Sequence, residues 1–128
     1  MSSISNYLEE KIINHFLRGT AAASPATVYL ALYTTDPTDA DTGTEVTGGA
    51  YVRLPITLTA PVNGVTKNAA DVEFAVATAN WGTVTHAGVR DAAEGGNLLL
   101  HGQLNLNKAI GIGDQFRVPA NQLTFTLD

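Results

Sequence analysis

Cysteine is absent from this 128-residue chain, so neither disulfides nor thiolate-held metal can brace its fold, and a cysteine nucleophile is excluded. Serine is nearly missing from the body: Ser2, Ser3 and Ser5 stand at the start and Ser24 in a linker. No G-x-S-x-G turn exists, which removes the common acyl-transfer arrangement. Charge is sparse, at 15% of residues against roughly 25% in ordinary globular chains, so long helices with charged outer faces are not expected. The seven basic residues are scattered from Lys11 to Arg117 and the net charge is −5. A nucleic-acid partner needs a basic patch for phosphate contacts, and none is visible. No apolar run approaches the roughly 20 residues of a membrane span. The opening "MSSISNYLEEKI" lacks a basic stretch followed by a small-residue cleavage site, so a signal peptide is not expected.

What is present is a chain 45% hydrophobic, of single-domain length, whose surface must be covered by Thr, Asn, Ala and Gly. That texture suits a β-rich protein. Ile4, Leu8, Ile12 and Phe16 recur every four residues, with Ile13 and Leu17 widening the stripe, which is the period of an amphipathic helix. Asn6 with Glu9 three residues on suits an N-terminus, and Arg18-Gly19 suits a C-terminus. The spacing predicts a helix from about Asn6 to Arg18. Residues 1–19 are thus expected to form an N-terminal helix, whose apolar face either packs across the protein's own sheet or serves as a docking arm on a neighbour, and residues 20–128 a β-sandwich domain.

Beyond the linker "GTAAASPA" the period changes. "TVYLALYT" (Thr27–Thr34) and "YVRLPITLT" (Tyr51–Thr59) alternate as strands, the second an edge strand or one bent at Pro55, which cannot donate to a ladder. Asn63-Gly64 is a strong hairpin signal. Further strands are predicted at Asp71–Ala77, Thr83–Asp91, Leu98–Leu104, "DQFRVP" and "QLTFTLD". About eight short strands after one helix predict a mainly-β fold, an antiparallel, jelly-roll-like β-sandwich. No crossover helix separates the strands, and no internal repeat points to a fibre shaft.

Candidate chemistry is thin. "GIGD" and "EGGN" lack the Lys-Ser/Thr and flanking helix of a phosphate loop or the frame of a dinucleotide fingerprint. His86 and His101 lie on strands that can be neighbours, but a shared metal site would need a third ligand such as Asp91, and no spacing demands it. Asp36, Asp39, Asp41 and Glu45 crowd "YTTDPTDADTGTEVTGG". In EF-hand register from Asp39, the third ligand falls on Gly43, the required glycine on Thr44 and the closing Glu on Ala50, so that match fails. A nonstandard Ca²⁺ cage is the alternative. Asp-Pro, Asp-Ala-Asp and Thr-Gly are turn formers, however, and a solvated loop joining two strands is the simpler reading. Trp81, the only tryptophan, is either a sugar-stacking platform or interface anchor, or a packing residue that Gly82 lets the backbone approach. No catalytic set, cofactor or metal is therefore assigned.

"SNYLEEKIINHFLRGTAAASPATVYLALYTTDPTDADTGTEV", "VATANWGTVTHAGVRDAAEGGNLLLHGQL" and "GDQFRVPANQLTFTLD" resemble, in order and over nearly the whole chain, a family of small tailed-bacteriophage virion structural proteins, often labelled tail-fibre-like or capsid decoration proteins. The resemblance implies a non-enzymatic virion component assembled in the host cytoplasm. Its partners would be the major capsid protein or tail proteins, and it would form a homo-oligomer, a dimer or trimer. With no repeat for a shaft, capsid decoration, the clamping of an assembled shell, is the first expectation. A tail or tail-fibre-associated role in host receptor or glycan binding is the alternative. Interface candidates are Ile4, Leu8, Ile12 and Phe16 on the helix, Asp36, Asp39 and Asp41 in the acidic loop, and Trp81.

Overall fold

The computed structural model describes residues 2–127. Among them the fold is mainly β and entirely antiparallel, with nine strands and one helix. The strands are β1 Ser2–Ile4, β2 Val28–Tyr33, β3 Leu54–Ile56, β4 Val65–Lys67, β5 Val72–Glu73, β6 Gly82–Arg90, β7 Leu98–Ile110, β8 Arg117–Val118 and β9 Thr124–Thr126. Five of them form one sheet in the order β1-β7-β6-β2-β3, while β4-β9 and β5-β8 form two ribbons. The core lies between sheet and ribbons: Leu30, Leu32, Val84, Val89 and Leu100 from the sheet pack with Val72, Phe74, Phe116 and Phe125 from the ribbons. The chain is thus the expected antiparallel sandwich, with its second layer divided into two ribbons.

Local chemistry explains the elements. In β2, alternate residues serve two different faces: Leu30 and Leu32 enter the main core, whereas Ala31 and Tyr33 form a smaller cluster with Leu98 on the opposite face. Both faces are covered, so Leu30, Ala31, Leu32 and Tyr33 are all buried. Pro55 is exposed on β3, the edge strand that its missing N–H predicts. Asn63 and Gly64 take positive φ of 52° and 78° between the bridged pair Val62 and Val65, the backbone a two-residue hairpin needs. Asn68 is fully buried. Its amide donates to Ala70 O (3.0 Å) and Pro119 O (2.9 Å), and its Oδ1 accepts from Leu123 N (2.8 Å). One side chain thereby pins the segment after β4 to the chain entering β9.

The N-terminus differs from the spacing-based expectation. Ile4 belongs to β1, paired with Leu100 on β7, and not to the helical stripe. The cap is Ser5 rather than Asn6: its Oγ accepts from Leu8 N (3.2 Å) and its hydroxyl donates to Leu98 O (2.5 Å). A hydroxyl that closes the helix and grips the sheet at once fixes the entry better than the next residue could. Helix α1 runs Asn6–Ile12, and the next turn, Ile13–Leu17, widens to i→i+5 bonding, with Arg18 N on Ile13 O (3.1 Å).

Candidate functional site

The segment that joins β2 to β3 carries the acidic residues, and it lies across the face of the sheet opposite the main core. Asp36 Oδ1 accepts from Thr38 N (2.9 Å) and Thr44 N donates to Thr35 Oγ1 (2.7 Å), so the turn chemistry expected of Asp-Pro and Thr is present. Gly43 is required by close approach: a Cβ there would stand 2.6 Å from Pro37 Cα and 2.9 Å from Asp36 O. Pro37 is buried beneath the loop.

The loop is solvated, as its composition suggested, with residues 35–42 exposed apart from Pro37, and it is also held to the sheet by side-chain partners. Strand alternation and register put Arg90 and His101 on the face the loop covers. Arg90 grips Asp41 with two bonds (Nη1–Oδ1 2.7 Å, Nη2–Oδ2 2.9 Å), and its Nη1 also donates to Tyr33 Oη (3.0 Å). His101 Nε2 meets Asp39 Oδ1 at 2.8 Å. Arg53 holds Glu45 with a second fork (Nε–Oε2 2.8 Å, Nη2–Oε1 2.7 Å) and donates from Nη1 to Ala92 O and Gly95 O. Tyr51 Oη donates to Glu45 Oε2 (2.6 Å) and accepts from Leu32 N (3.0 Å). Bidentate guanidinium–carboxylate pairs are strong and directional.

Electrostatics follow the geometry. Burial alone would raise the Glu45 carboxyl, but the hydrogen bonds from Arg53 and Tyr51 outweigh it and hold Glu45 below its ordinary value. Burial likewise opposes charge on Arg90, and the bonds to Asp41 and Tyr33 override it, raising Arg90. Burial and then the Glu45 hydrogen bond push the Tyr51 phenol well up. A carboxylate held down by a guanidinium fork is a poor proton acceptor at neutral pH, so these pairs suit anchoring and not acid–base catalysis.

The other expected site residues fall elsewhere. Trp81 is buried at 4% exposure; its indole N–H donates to Gly49 O (2.9 Å) and its ring stands edge-on to Tyr51 and Phe74. It presents no stacking face to solvent. Ile4 and Leu8 are half-buried against the core and Ile12 is half-buried. Phe16 is 75% exposed, as are Leu17 (78%) and Ile13 (48%). The helix is therefore tied to the sheet at its start and carries an unpartnered apolar end. Asn6 N donates to Asp39 O (2.9 Å), which joins the acidic loop to that start. A separate cleft of about 500 Å³ opens beside Leu104, Leu106, Phe116 and Leu123, where the β6–β7 register shifts between Val84 and His86; none of the expected site residues line it.

Tyr33, Tyr51, Arg53 and Arg90 are the site residues that sequence reasoning missed. Arg90 is 49 residues from Asp41, and nothing local announces the pair. The usable signal was arithmetic: four loop carboxylates in a chain with so few charges must meet cations if the loop is packed down.

No curated protein matches the chain. A family model described as "Podophage GP4 fiber I protein gp80" matches residues 3–126, nearly the full length. By that match the chain belongs to this podophage fibre protein family, a family of phage virion structural proteins.

Proposed function

We propose that the chain is a non-enzymatic structural component of the phage fibre, which attaches to a neighbouring fibre protein through the exposed apolar end of its N-terminal helix. The single observation that carries this reading is the contrast along that segment. Ile4 and Leu8 pack on the core, whereas Ile13, Phe16 and Leu17 lie together in solvent at 48%, 75% and 78% exposure. Burying each such side chain on a partner is worth roughly 1.5–3 kcal/mol, and clustered exposed apolar residues mark interaction sites. The occupant is an apolar groove on a fibre subunit, since the family is described as a fibre protein. Capsid decoration, the first expectation from sequence, shares the sandwich and the arm but has no support in that description.

The loop clamp supports the same reading. The Arg90–Asp41 and Arg53–Glu45 forks tie the loop to the sheet, which holds that face of the body together for docking. The test is a Phe16→Ser/Leu17→Ser double variant. Incorporation into fibres should fall at least tenfold while near-ultraviolet dichroism and Trp81 fluorescence stay native. Native incorporation by the folded variant would overturn the docking role. Binding of the parent protein to isolated capsids and not to tails would overturn the fibre placement.

A further inference from the structure

We propose that the cleft beside β7 is a slot for one extended peptide strand of a neighbouring virion protein, apolar at alternate residues and carrying an acidic side chain. The inference starts from hydrogen-bonding edges. Strand β1 lies against β7 through the pairs Ile4–Leu100 and Ser2–Gly102. Its Ser2 hydroxyl also reaches β9, donating to Thr126 O (3.3 Å) and accepting from Thr126 N (2.7 Å). Thr126 thus turns its backbone groups away from β4 and toward β1. Along an antiparallel strand these directions repeat at every second residue, so Thr124 turns its N–H and C=O to the same edge. The residue opposite agrees: Thr124 faces Lys67, whose own N–H and C=O are taken by Thr59 on the far side (3.1 and 2.8 Å). Among the described residues these two groups of Thr124 have no backbone partner, and Thr124 borders the cleft.

The other wall is β7 beyond the reach of β1. Among the described residues, no strand pairs with residues 104–110 on the edge away from β6. The β6–β7 register steps from His86–Gln103 to Val84–Lys108, so residues 104–107 arch out opposite Thr85 alone, as a bulge does. The arch leaves Leu106 76% exposed and parts the sheet from the second layer. The floor between them is apolar: Ala87, Phe116 and Phe125 are buried there, with Leu104 and Leu123 beside them. At about 500 Å³ the cleft is within the roughly 300–1,000 Å³ of ligand-holding clefts.

These walls select the occupant. An apolar floor alone accepts any apolar group, whereas unpaired main-chain groups at its side select a polypeptide that can pair with them and send alternate side chains to the floor. The added strand continues the line of β1 between β7 and β9. Charge selects further, because the charged side chains lining the cleft are both basic, Lys108 and Arg117. Lys108 stands over the Phe116 ring (5.6 Å), and Arg117 holds Glu73 by one bond in solvent (2.8 Å). Both can turn to a carboxylate on the incoming strand. The slot shares no residue with the exposed helix end, so the chain would join two neighbours, and either attachment can fail alone.

The test is titration of the full chain with synthetic octapeptides in which threonine alternates with valine, leucine or isoleucine and aspartate ends the run. Calorimetry and amide exchange read the result. At least one member should bind saturably below about 1 mM and slow exchange of the Thr124 amide. That peptide, N-methylated at alternate amides, should give two unequal versions, the one blocked toward Thr124 O binding about tenfold more weakly. Thr124→Pro removes the outward donor, which the pairing with β4 does not use, and should lower affinity about tenfold with native Trp81 fluorescence. Lys108→Gln/Arg117→Gln should weaken binding several-fold, and Phe16→Ser/Leu17→Ser should leave it unchanged. No binding below about 1 mM by any member, or equal binding by the two N-methylated versions, overturns the proposal. So does self-association of the parent that Thr124→Pro abolishes, which would give the slot to a second copy.

Discussion

Replacing Arg53 by methionine should cost the protein about 3 kcal/mol of stability. Methionine keeps most of the apolar stem and deletes every donor: two bonds to Glu45 and one each to Ala92 O and Gly95 O, all between 2.7 and 2.9 Å. The Arg53 and Glu45 side chains are only 8% and 22% exposed, so Glu45 would be left largely out of water with Tyr51 as its one remaining donor. Breaking a buried pair on one side costs roughly 3–5 kcal/mol. The retained Tyr51 bond and the partial exposure of Glu45 place this pair at the low end. Urea unfolding followed by fluorescence suits the measurement, because Trp81 is the only tryptophan and is buried. With a slope of about 1.5–2 kcal/mol/M the midpoint should fall by about 1.5–2 M. Glu45→Gln in the Arg53→Met background should be less damaging than in the parent, giving a coupling of about 1–2 kcal/mol. A loss below about 0.5 kcal/mol, or strict additivity, would show that the clamp contributes nothing beyond what exposed ion pairs do.

Other consequences can be measured in the same way. Asn68→Ala should cost about 2–4 kcal/mol in urea unfolding, because it strands Leu123 N, Ala70 O and Pro119 O without their partner. Gly43→Ala should cost about 1–3 kcal/mol, since its methyl meets the Pro37 and Asp36 backbone at 2.6–2.9 Å. Folding lowers the Glu45 pKa from its ordinary 4.5, so the native state binds fewer protons than the unfolded chain. That contribution is complete above about pH 4.5 and is lost as pH falls through the depressed native value; Glu45→Gln should flatten this part of a pH–stability profile, and an unchanged acid limb would contradict it.

How much was legible in the sequence depended on whether the deciding contact was local. The strands around Val28–Tyr33 and Gly82–Arg90 were readable, because strand propensity and the turn residues flanking them agree. Asn63-Gly64 was readable because its positive φ values are a property of those two residues. Ser2–Ile4 was not, since three residues show no period and only pairing with β7 makes them a strand. Strand β7 runs to Ile110, past the predicted Leu104, because a register shift opposite Val84 and His86 lets it continue. The acidic loop is the solvated joint between strands that its composition suggests, but its anchors could not be read, because Arg90 and His101 come from strands 49 and 62 residues away. Phe16 and Leu17 lie on the helical segment as the period predicts, and they stand in solvent; whether that stripe packs inward is decided by contacts with the sheet that no local period encodes.

The central claim is the place of this chain in the virion, and imaging of particles that carry a tagged copy tests it most directly. Label density on the fibres, lost when Phe16 and Leu17 are both replaced by serine, is the predicted result. Label spread in a regular lattice over the capsid shell, with fibres bare, would contradict it.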